Sequence, residues 1–163
     1  FANTFGSCGF LVSSKSKTYC VLGCFGIEND FPIFVEQSQF TKMIIHEFSH
    51  TFVNTIIESK NINQTCIDKV YNELPGEYQK QYGNGKGMIS EQIVRAITAR
   101  IISIIVGEKQ GKDLLCFDIS QGFILEKVIY DLLISEYEPN RYKYSTFCQF
   151  IERLVTKINM FST

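Results

Sequence analysis

Two histidines and a glutamate lie close together in the sequence, at a spacing that suits metal chemistry. His46, Glu47 and His50 form the pattern His-Glu-x-x-His inside an apolar run. On a helix, residues four apart lie one above the other, with Cβ atoms about 5–6 Å apart. His46 and His50 can therefore bind one metal ion through both imidazoles, while Glu47 points to the side, toward a water molecule held by that metal. The pattern is typical of sites in which zinc and a glutamate base activate water.

The composition of the chain strengthens this interpretation. The chain has two histidines in 163 residues, and both lie in this motif. Apolar residues cover nearly every side of the predicted helix: Ile44, Ile45, Phe48, Phe52, Val53, Ile56 and Ile57. A helix that is apolar all round is buried, and a carboxylate buried beside two imidazoles without a partner is costly. We therefore expect a buried metal-binding helix in preference to a helix with two incidental histidines.

The third metal ligand must be a carboxylate or a cysteine, because the chain has no further histidine. Catalytic zinc usually has three protein ligands and one open position. Glu58 follows His50 on the same helix but lies about 12 Å further along the axis, which is out of reach. Glu73 and Glu77 flank a Pro-Gly break and have no firm geometry.

Glu91 is the preferred third ligand, since it opens a strongly amphipathic helix that can pack beside the motif helix. The alternative is a solvated first-turn residue that is favoured by the helix dipole. Arg95 follows one turn later and could hold the Glu91 carboxylate in place from behind. An ordinary ion pair on the helix surface is an equally open interpretation of Arg95.

The elements around these residues predict an α+β fold, with a small N-terminal antiparallel sheet beside a mostly helical body. Strands are predicted at 8–14 and 18–25, joined as a hairpin at Lys15-Ser16-Lys17, and at 31–36 after a turn at 28–30. The last of these could bind an extended peptide as an edge strand.

Helical periodicity and capping residues predict the rest of the body. The predicted helices cover about 38–60, 67–74, a short piece through 81, 91–109, 121–136 and 145–160. Ser38 and Ser90 are the predicted N-caps of the motif helix and of the Glu91 helix. We expect a flexible loop at 83–87 and a short strand or extended link at 112–120. The inward stripe of the Glu91 helix is predicted to be Val94, Ile97, Ile101, Ile104 and Ile105.

Length, net charge and the lengths of the apolar runs limit the class of protein. A chain of 163 residues is expected to form a single domain, 1–163. Its net charge of −1 argues against nucleic-acid binding, and no apolar run reaches the roughly 18 residues of a membrane span. The chain begins at Phe1 without a signal-peptide pattern, so we expect it to be truncated at its N-terminus. The compartment stays open, with a secreted or cell-envelope location in a bacterium as one alternative.

The motif and its surroundings resemble a known group. His46-Glu-Phe-Ser-His50 followed by Thr-Phe-Val-Asn, together with Glu91-Gln-Ile-Val-Arg95-Ala96, resembles the gluzincin clan of metallopeptidases. Within it the chain is most similar to an uncharacterised bacterial group of zincin-like domains, known mainly as a domain of unknown function. The resemblance covers residues 18–160. It implies a zincin-like fold, Zn²⁺ bound by His46, His50 and Glu91, and Glu47 as catalytic base.

The function implied is a zinc-dependent metallopeptidase acting on a peptide or protein substrate. Glu47 would accept the proton of the attacking water and pass it to the leaving amine. The oxyanion needs a further donor, for which Tyr142, Tyr144 and Arg141 are the candidates. The alternatives are a zinc-holding scaffold domain without turnover, a metal-free helical domain, and hydrolysis of a non-peptide amide.

Overall fold

The structure of the chain is a computed structural model, which describes residues 9–14, 17–22, 24, 26–34, 37–82 and 85–160. Some positions of the predicted strands and of their hairpin turn lie outside the described residues: Cys8, Lys15, Ser16, Gly23, Phe25, Val35 and Glu36. Among the helices described, none combines the length and the apolar character that crossing a membrane requires.

The described strands form two short antiparallel hairpins. Strands β1 (Gly9–Ser14) and β2 (Lys17–Leu22) pair with Gly9 opposite Leu22, which confirms the predicted hairpin. Strands β3 (Gly26–Glu28) and β4 (Phe31–Ile33) pair across Asn29 and Asp30, whose φ angles are 50° and 65°. Two left-handed residues make the turn that matches the twist of a hairpin. Within the described residues, the predicted strand at 31–36 does not join the first hairpin in one sheet, because this local turn pairs β4 with β3 instead.

The rest of the described chain is helical, which confirms the α+β class and the mostly helical body. The seven α-helices of the described residues are α1 (Gln37–Ser59), α2 (Gln64–Glu73), α3 (Gly76–Tyr82), α4 (Gly85–Ile105), α5 (Glu108–Ser120), α6 (Glu126–Leu132) and α7 (Phe147–Met160). Between α6 and α7 the chain forms a π-helical turn at Leu133–Tyr137 and a 3-10 helix at Glu138–Lys143.

Helix α4 is the centre of the fold, since α1, α2, α5 and α6 all pack against it. Nearly every side of its first four turns is buried, including Met88, Ile89, Ile93, Val94, Ala96 and Ala99. The predicted inward stripe is correct at Val94 and Ile97 but wrong at Ile104 and Ile105, which are exposed. In the last turn of α4, Ile102 and Ser103 are buried, whereas Ile104 and Ile105 face away from the core.

Helix α1 is buried on one face, so the expectation that it is buried all round is wrong. Val53 and Ile57 are fully buried, and Ser49 is nearly so. Phe48 and Phe52 are 40% and 38% exposed. The described elements that pack on α1 are β1, β2, α4 and α7, and they leave part of its apolar surface open.

Helix α4 begins six residues before the predicted start at Glu91, and the predicted loop at 83–87 is wrong where it overlaps the helix. Glycine disfavours a helix, but Gly85 allows α4 to pack closely against α2. A Cβ added at Gly85 would lie 1.9 Å from Ile67 Cγ2. Ser90 therefore lies inside α4 instead of capping it. Ser38 is likewise inside α1, which begins at Gln37.

Residues 112–120 belong to helix α5, so the predicted strand or extended link is wrong. Gly111, Leu115 and Asp118 are its buried positions, at the spacing of one helix face. A Cβ at Gly111 would lie 1.9 Å from Ser103 Oγ and 2.5 Å from the Ala99 carbonyl oxygen. The absence of a side chain at Gly111 thus allows α5 to lie directly on α4.

Candidate metal centre

Two helices bring the three predicted ligands together. Helix α1 supplies His46 and His50, one turn apart, and α4 supplies Glu91 from the opposite wall. The two Nε2 atoms lie 3.2 Å apart. His46 Nε2 lies 3.6 Å from Glu91 Oε1, and His50 Nε2 lies 3.4 Å from Glu91 Oε2. Within the described residues, this is the group of histidine, cysteine and carboxylate side chains that could hold a metal ion.

The separations between these donor atoms fit a small tetrahedral ion. Zinc binds imidazole nitrogen and carboxylate oxygen at about 2.0–2.2 Å, so two ligands of a tetrahedral site lie about 3.4 Å apart. The distances of 3.2, 3.4 and 3.6 Å match that edge length. A donor set of two imidazoles and one carboxylate is also one that catalytic zinc uses. The residues therefore fit the metal that the motif implies.

Of the three candidate ligands, His46 and Glu91 are held in the protonation states that a metal requires. Burial lowers the pKa of His46 to about 4, so its imidazole is neutral at pH 7. Burial acts to raise the pKa of Glu91, but the hydrogen bond to His50 and the charges of His46 and Arg95 outweigh it and lower the pKa to about 2. A neutral imidazole and an ionised carboxylate are the forms that coordinate metals. At His50, burial acts to lower the pKa, but the hydrogen bond to Glu91 and the charge of Glu91 outweigh it and raise the pKa.

Arg95 holds Glu91 in place through a buried chain of ion pairs. Its Nε donates to Glu91 Oε1 at 2.7 Å, and its Nη1 donates to Asp118 Oδ1 at 2.7 Å. The Asp118 residue is only 1% exposed, and the guanidinium carbon lies 4.0 Å from the centre of the Phe123 ring. The contact is an i,i+4 pair, but it is largely buried, which favours Arg95 as the partner that holds the Glu91 carboxylate over an ion pair on the helix surface.

Asn54 orients the second histidine. Its Oδ1 lies 3.2 Å from His50 Nδ1, one turn further along α1. Since an amide oxygen can only accept, the hydrogen bond places the proton of the neutral imidazole on Nδ1. In that neutral tautomer the lone pair of Nε2 faces His46 and Glu91. In the protonated imidazole, Nε2 instead donates to Glu91, which is the hydrogen bond that lowers the pKa of Glu91.

The three donor atoms lie in a cleft of about 1340 Å³. Helix α1 forms one wall of this cleft, and the N-terminal half of α4 and the end of α3 line the rest. Glu47 is half-buried and lines the same cleft without joining the donor cluster. The structure thus places Glu47 beside the candidate ligands, on the wall of the cleft.

The three residues predicted as oxyanion donors do not line the cleft. Tyr142 is 81% exposed, and Tyr144 packs against the rings of Tyr137 and Phe150. Arg141 lines a separate apolar pocket beside α7. The prediction that these three residues lie near the site is wrong. It was based on their closeness to α7 in sequence, which says nothing about their distance from α1.

A different tyrosine, Tyr82 at the end of α3, does line the cleft. It lies close enough to Glu91 and Arg95 for both residues to influence the pKa of its hydroxyl. Burial, followed by the charge of Glu91, raises the pKa of Tyr82 to about 12. Its hydroxyl therefore keeps its proton at neutral pH and can donate a hydrogen bond.

Sequence reasoning missed several residues of the site. Asn54 and Lys42 each lie four residues from a motif histidine, so helical spacing could have placed both on the ligand face. Asp118 gave no such signal, because its segment was not recognised as a helix. Tyr82 precedes the predicted loop at 83–87, and the sequence of a loop does not indicate where its neighbouring side chains lie.

Comparisons with known proteins bear on the family and leave the activity open. Neither the curated proteins nor the solved structures gave a match. The family model described as a domain of unknown function (DUF4932) matches residues 4–157, which includes the motif, Glu91 and Arg95. The chain belongs to that family.

Proposed function

We propose that the chain is a zinc-dependent metallopeptidase domain of the zincin type, with Zn²⁺ held by His46, His50 and Glu91. The observation that carries the proposal is the convergence of three donor atoms, at the edge lengths of a tetrahedral site, from two facing helices of an open cleft. A zinc ion held there supplies Lewis-acid polarisation and makes water nucleophilic at neutral pH.

Glu47 is the proposed general base. It follows His46 directly, so it is turned about 100° around the helix from that ligand, and it faces the cleft. Its carboxylate accepts a proton from the attacking water and then donates that proton to the amine that leaves. Such proton transfer typically contributes about 10²–10⁴-fold to the rate.

The size of the cleft supports an extended substrate. Pockets for small molecules commonly measure about 300–1,000 Å³, and this cleft is larger, at about 1340 Å³. Its lining runs along α1 from Gln39 to Glu58, past the donor atoms in the middle. A peptide lying along α1 would therefore pass its backbone over the site.

Metal analysis tests the metal centre first. Protein purified without added zinc, or incubated with one equivalent of Zn²⁺, should hold one zinc per chain. His50→Ala should lose it, whereas Asn61→Ala, on the exposed link after α1, should keep it. A wild-type stoichiometry that stays near zero after incubation would contradict the proposal.

Glu47→Gln tests turnover separately from metal binding. It keeps the size of the side chain and removes the base, so we expect full zinc occupancy and a near-native melting temperature. Any cleavage by wild type in a mixed peptide library should fall by about 10²-fold or more. The control is Glu58→Gln, which is the same change on the same helix and cleft but far from the donor atoms; it should cleave like wild type.

Two outcomes separate peptidase from scaffold. If wild type binds zinc but cleaves nothing in the library, a zinc-holding scaffold is the better description. If Glu47→Gln cleaves as fast as wild type, the assigned base is wrong.

A further inference from the structure

One cationic side chain of the cleft is not used by the proposed chemistry. Among the residues that the structure describes, three cationic side chains other than the histidines line the cleft: Lys42, Lys86 and Arg95. Arg95 is paired with Glu91 and Asp118. The ammonium of Lys86 donates to the Glu58 carbonyl oxygen at 3.0 Å. Of these three described cations, Lys42 is the one without such a contact.

Lys42 lies on the ligand face of α1, one turn before His46. Its side chain is half-buried. Within the described residues, no acceptor is hydrogen-bonded to its ammonium and no carboxylate lies within the 4 Å of an ion pair. Burying part of a charge without a partner is unfavourable, so this position is a ready site for an incoming anion.

The carboxylates around Lys42 are already engaged or uncharged. Asp118 and Glu91, both near enough to influence Lys42, accept hydrogen bonds from Arg95. Glu126 is also near, but burial and the charge of Asp118 raise its pKa to about 9, so it is neutral at pH 7. Among the described residues, no carboxylate therefore forms a close ion pair with Lys42.

We propose that Lys42 is an anion subsite of the cleft, which binds a carboxylate of the peptide substrate. Lys42 precedes His46 by four residues, or about 6 Å along the helix axis. An extended peptide advances about 3.3–3.6 Å per residue. The carboxylate would thus lie within about two residues of the bond that is cleaved.

Two sources could provide that carboxylate: an aspartate or glutamate side chain, or the free C-terminus of a short peptide. The proposal rests on the proposed function only in taking the ligand to be a peptide. Its test can therefore be made on binding alone, with the metal removed.

Three pentapeptides provide the probes. The first is acetylated and amidated with a central glutamate, the second replaces that glutamate by glutamine, and the third is the glutamine peptide with a free C-terminal carboxylate. Dissociation constants are measured by NMR titration on the chelator-treated wild-type protein, and again with one equivalent of Zn²⁺.

We expect one carboxylate peptide to bind about tenfold more tightly than the neutral peptide, as a charge-assisted hydrogen bond provides. The carboxylate peptide that binds more tightly shows whether Lys42 binds an acidic side chain or a free C-terminus. Lys42→Met should remove the difference and Lys42→Arg should retain it. Lys86→Met removes a cation from the same cleft and should leave the difference unchanged.

Equal binding of all three peptides by wild type would overturn the proposal, as would a preference that persists in Lys42→Met. A preference that appears only with zinc and survives Lys42→Met would mean that the carboxylate binds the metal instead. Failure to bind zinc or to cleave peptides would contradict the proposed function and leave the metal-free comparison intact.

Discussion

Helices α1 and α4 carry the two halves of the candidate metal centre, and their surroundings differ. Both are long and rich in apolar residues. Helix α4 is covered on nearly all sides, and the Glu91 side chain is 6% exposed. Helix α1 is covered on one face, and the side chains of His46 and His50 are 19% and 20% exposed. One wall of the centre is part of the core, and the other is open to the cleft.

The difference indicates that the two helices hold their candidate ligands in different ways. On α4, Glu91 is fixed by Arg95 and Asp118, so its position depends on the packing of the whole body. On α1, the histidines are oriented by short-range contacts such as that of His50 with Asn54. Changes to α4 should therefore disturb stability and site together, whereas changes to α1 should affect the site with little effect on the fold.

The largest expected effect is that of Glu91→Ala on metal binding. Even residues that merely hold a ligand cost about 10–100-fold in metal affinity, so loss of the Glu91 carboxylate should cost more than about 100-fold. Zinc titration against a competing chelator measures this. Glu73→Ala and Glu77→Ala remove exposed carboxylates and should leave the affinity unchanged. If Glu77→Ala loses zinc and Glu91→Ala keeps it, the assignment of the third ligand fails.

Truncation of one apolar side chain on each helix tests the difference in burial. Ile93 on α4 is 0% exposed, and Phe48 on α1 is 40% exposed. Ile93→Ala should lower the free energy of unfolding by about 2–5 kcal/mol, and Phe48→Ala by less than about 1 kcal/mol. Urea denaturation of both variants measures the two losses. Similar losses would mean that α1 is as deeply buried as α4.

A buried carboxyl beside α4 should make stability depend on pH. Glu126 is 0% exposed, and neither of its oxygens has a hydrogen-bond partner in the described part of the chain. Burial and the charge of Asp118 raise its pKa from 4.5 to about 9, against the opposing charges of Arg95 and Lys42. The charge of Glu91 acts in the same direction as that of Asp118.

The sign of the effect follows from the raised pKa. The folded protein keeps the proton of Glu126 where the unfolded chain loses it, so the stabilisation is complete below pH 4.5 and declines up to about pH 9. Between pH 6 and pH 8 wild type should lose about 3 kcal/mol relative to Glu126→Gln. Denaturation at several pH values checks this. Glu77→Gln, at an exposed carboxylate, should follow wild type, and a Glu126→Gln variant that does so too would contradict the prediction.

The smallest expected effect is that of Asp118→Asn on zinc affinity. Asp118 acts on Glu91 only through Arg95, and its loss of charge should weaken zinc binding by about tenfold. Asp113→Asn is the matched control, since Asp113 lies on the same helix and pairs with Lys109 at the surface. An unchanged affinity for Asp118→Asn would mean that Arg95 holds Glu91 without help.

The sequence predicted those parts of the site that depend on spacing along one helix. The positions of His46 and His50 follow from the helical repeat, and the pairing of Glu91 with Arg95 follows from the same rule. Helix α7 was predicted for a similar reason, because Phe150, Ile151, Leu154 and Ile158 form a regular stripe. Its observed start is two residues later than expected.

The parts that depend on packing between elements were not predictable in this way. The loop expected at 83–87 and the non-helical link expected at 112–120 lie at or just after glycine residues, which lower helix propensity. In the fold, Gly85 and Gly111 are points of close approach of α2 and α5 to α4. Asp118 was missed for the same reason, since its helix was not recognised.

Gly85 also governs how closely two helices approach each other at one end of the cleft. Gly85 and Ile67 both line the cleft, and an added Cβ at Gly85 would lie 1.9 Å from Ile67 Cγ2. A side chain there would require Ile67 to move or α2 and α4 to separate. The present shape of that end of the cleft thus depends on the lack of one methyl group at Gly85.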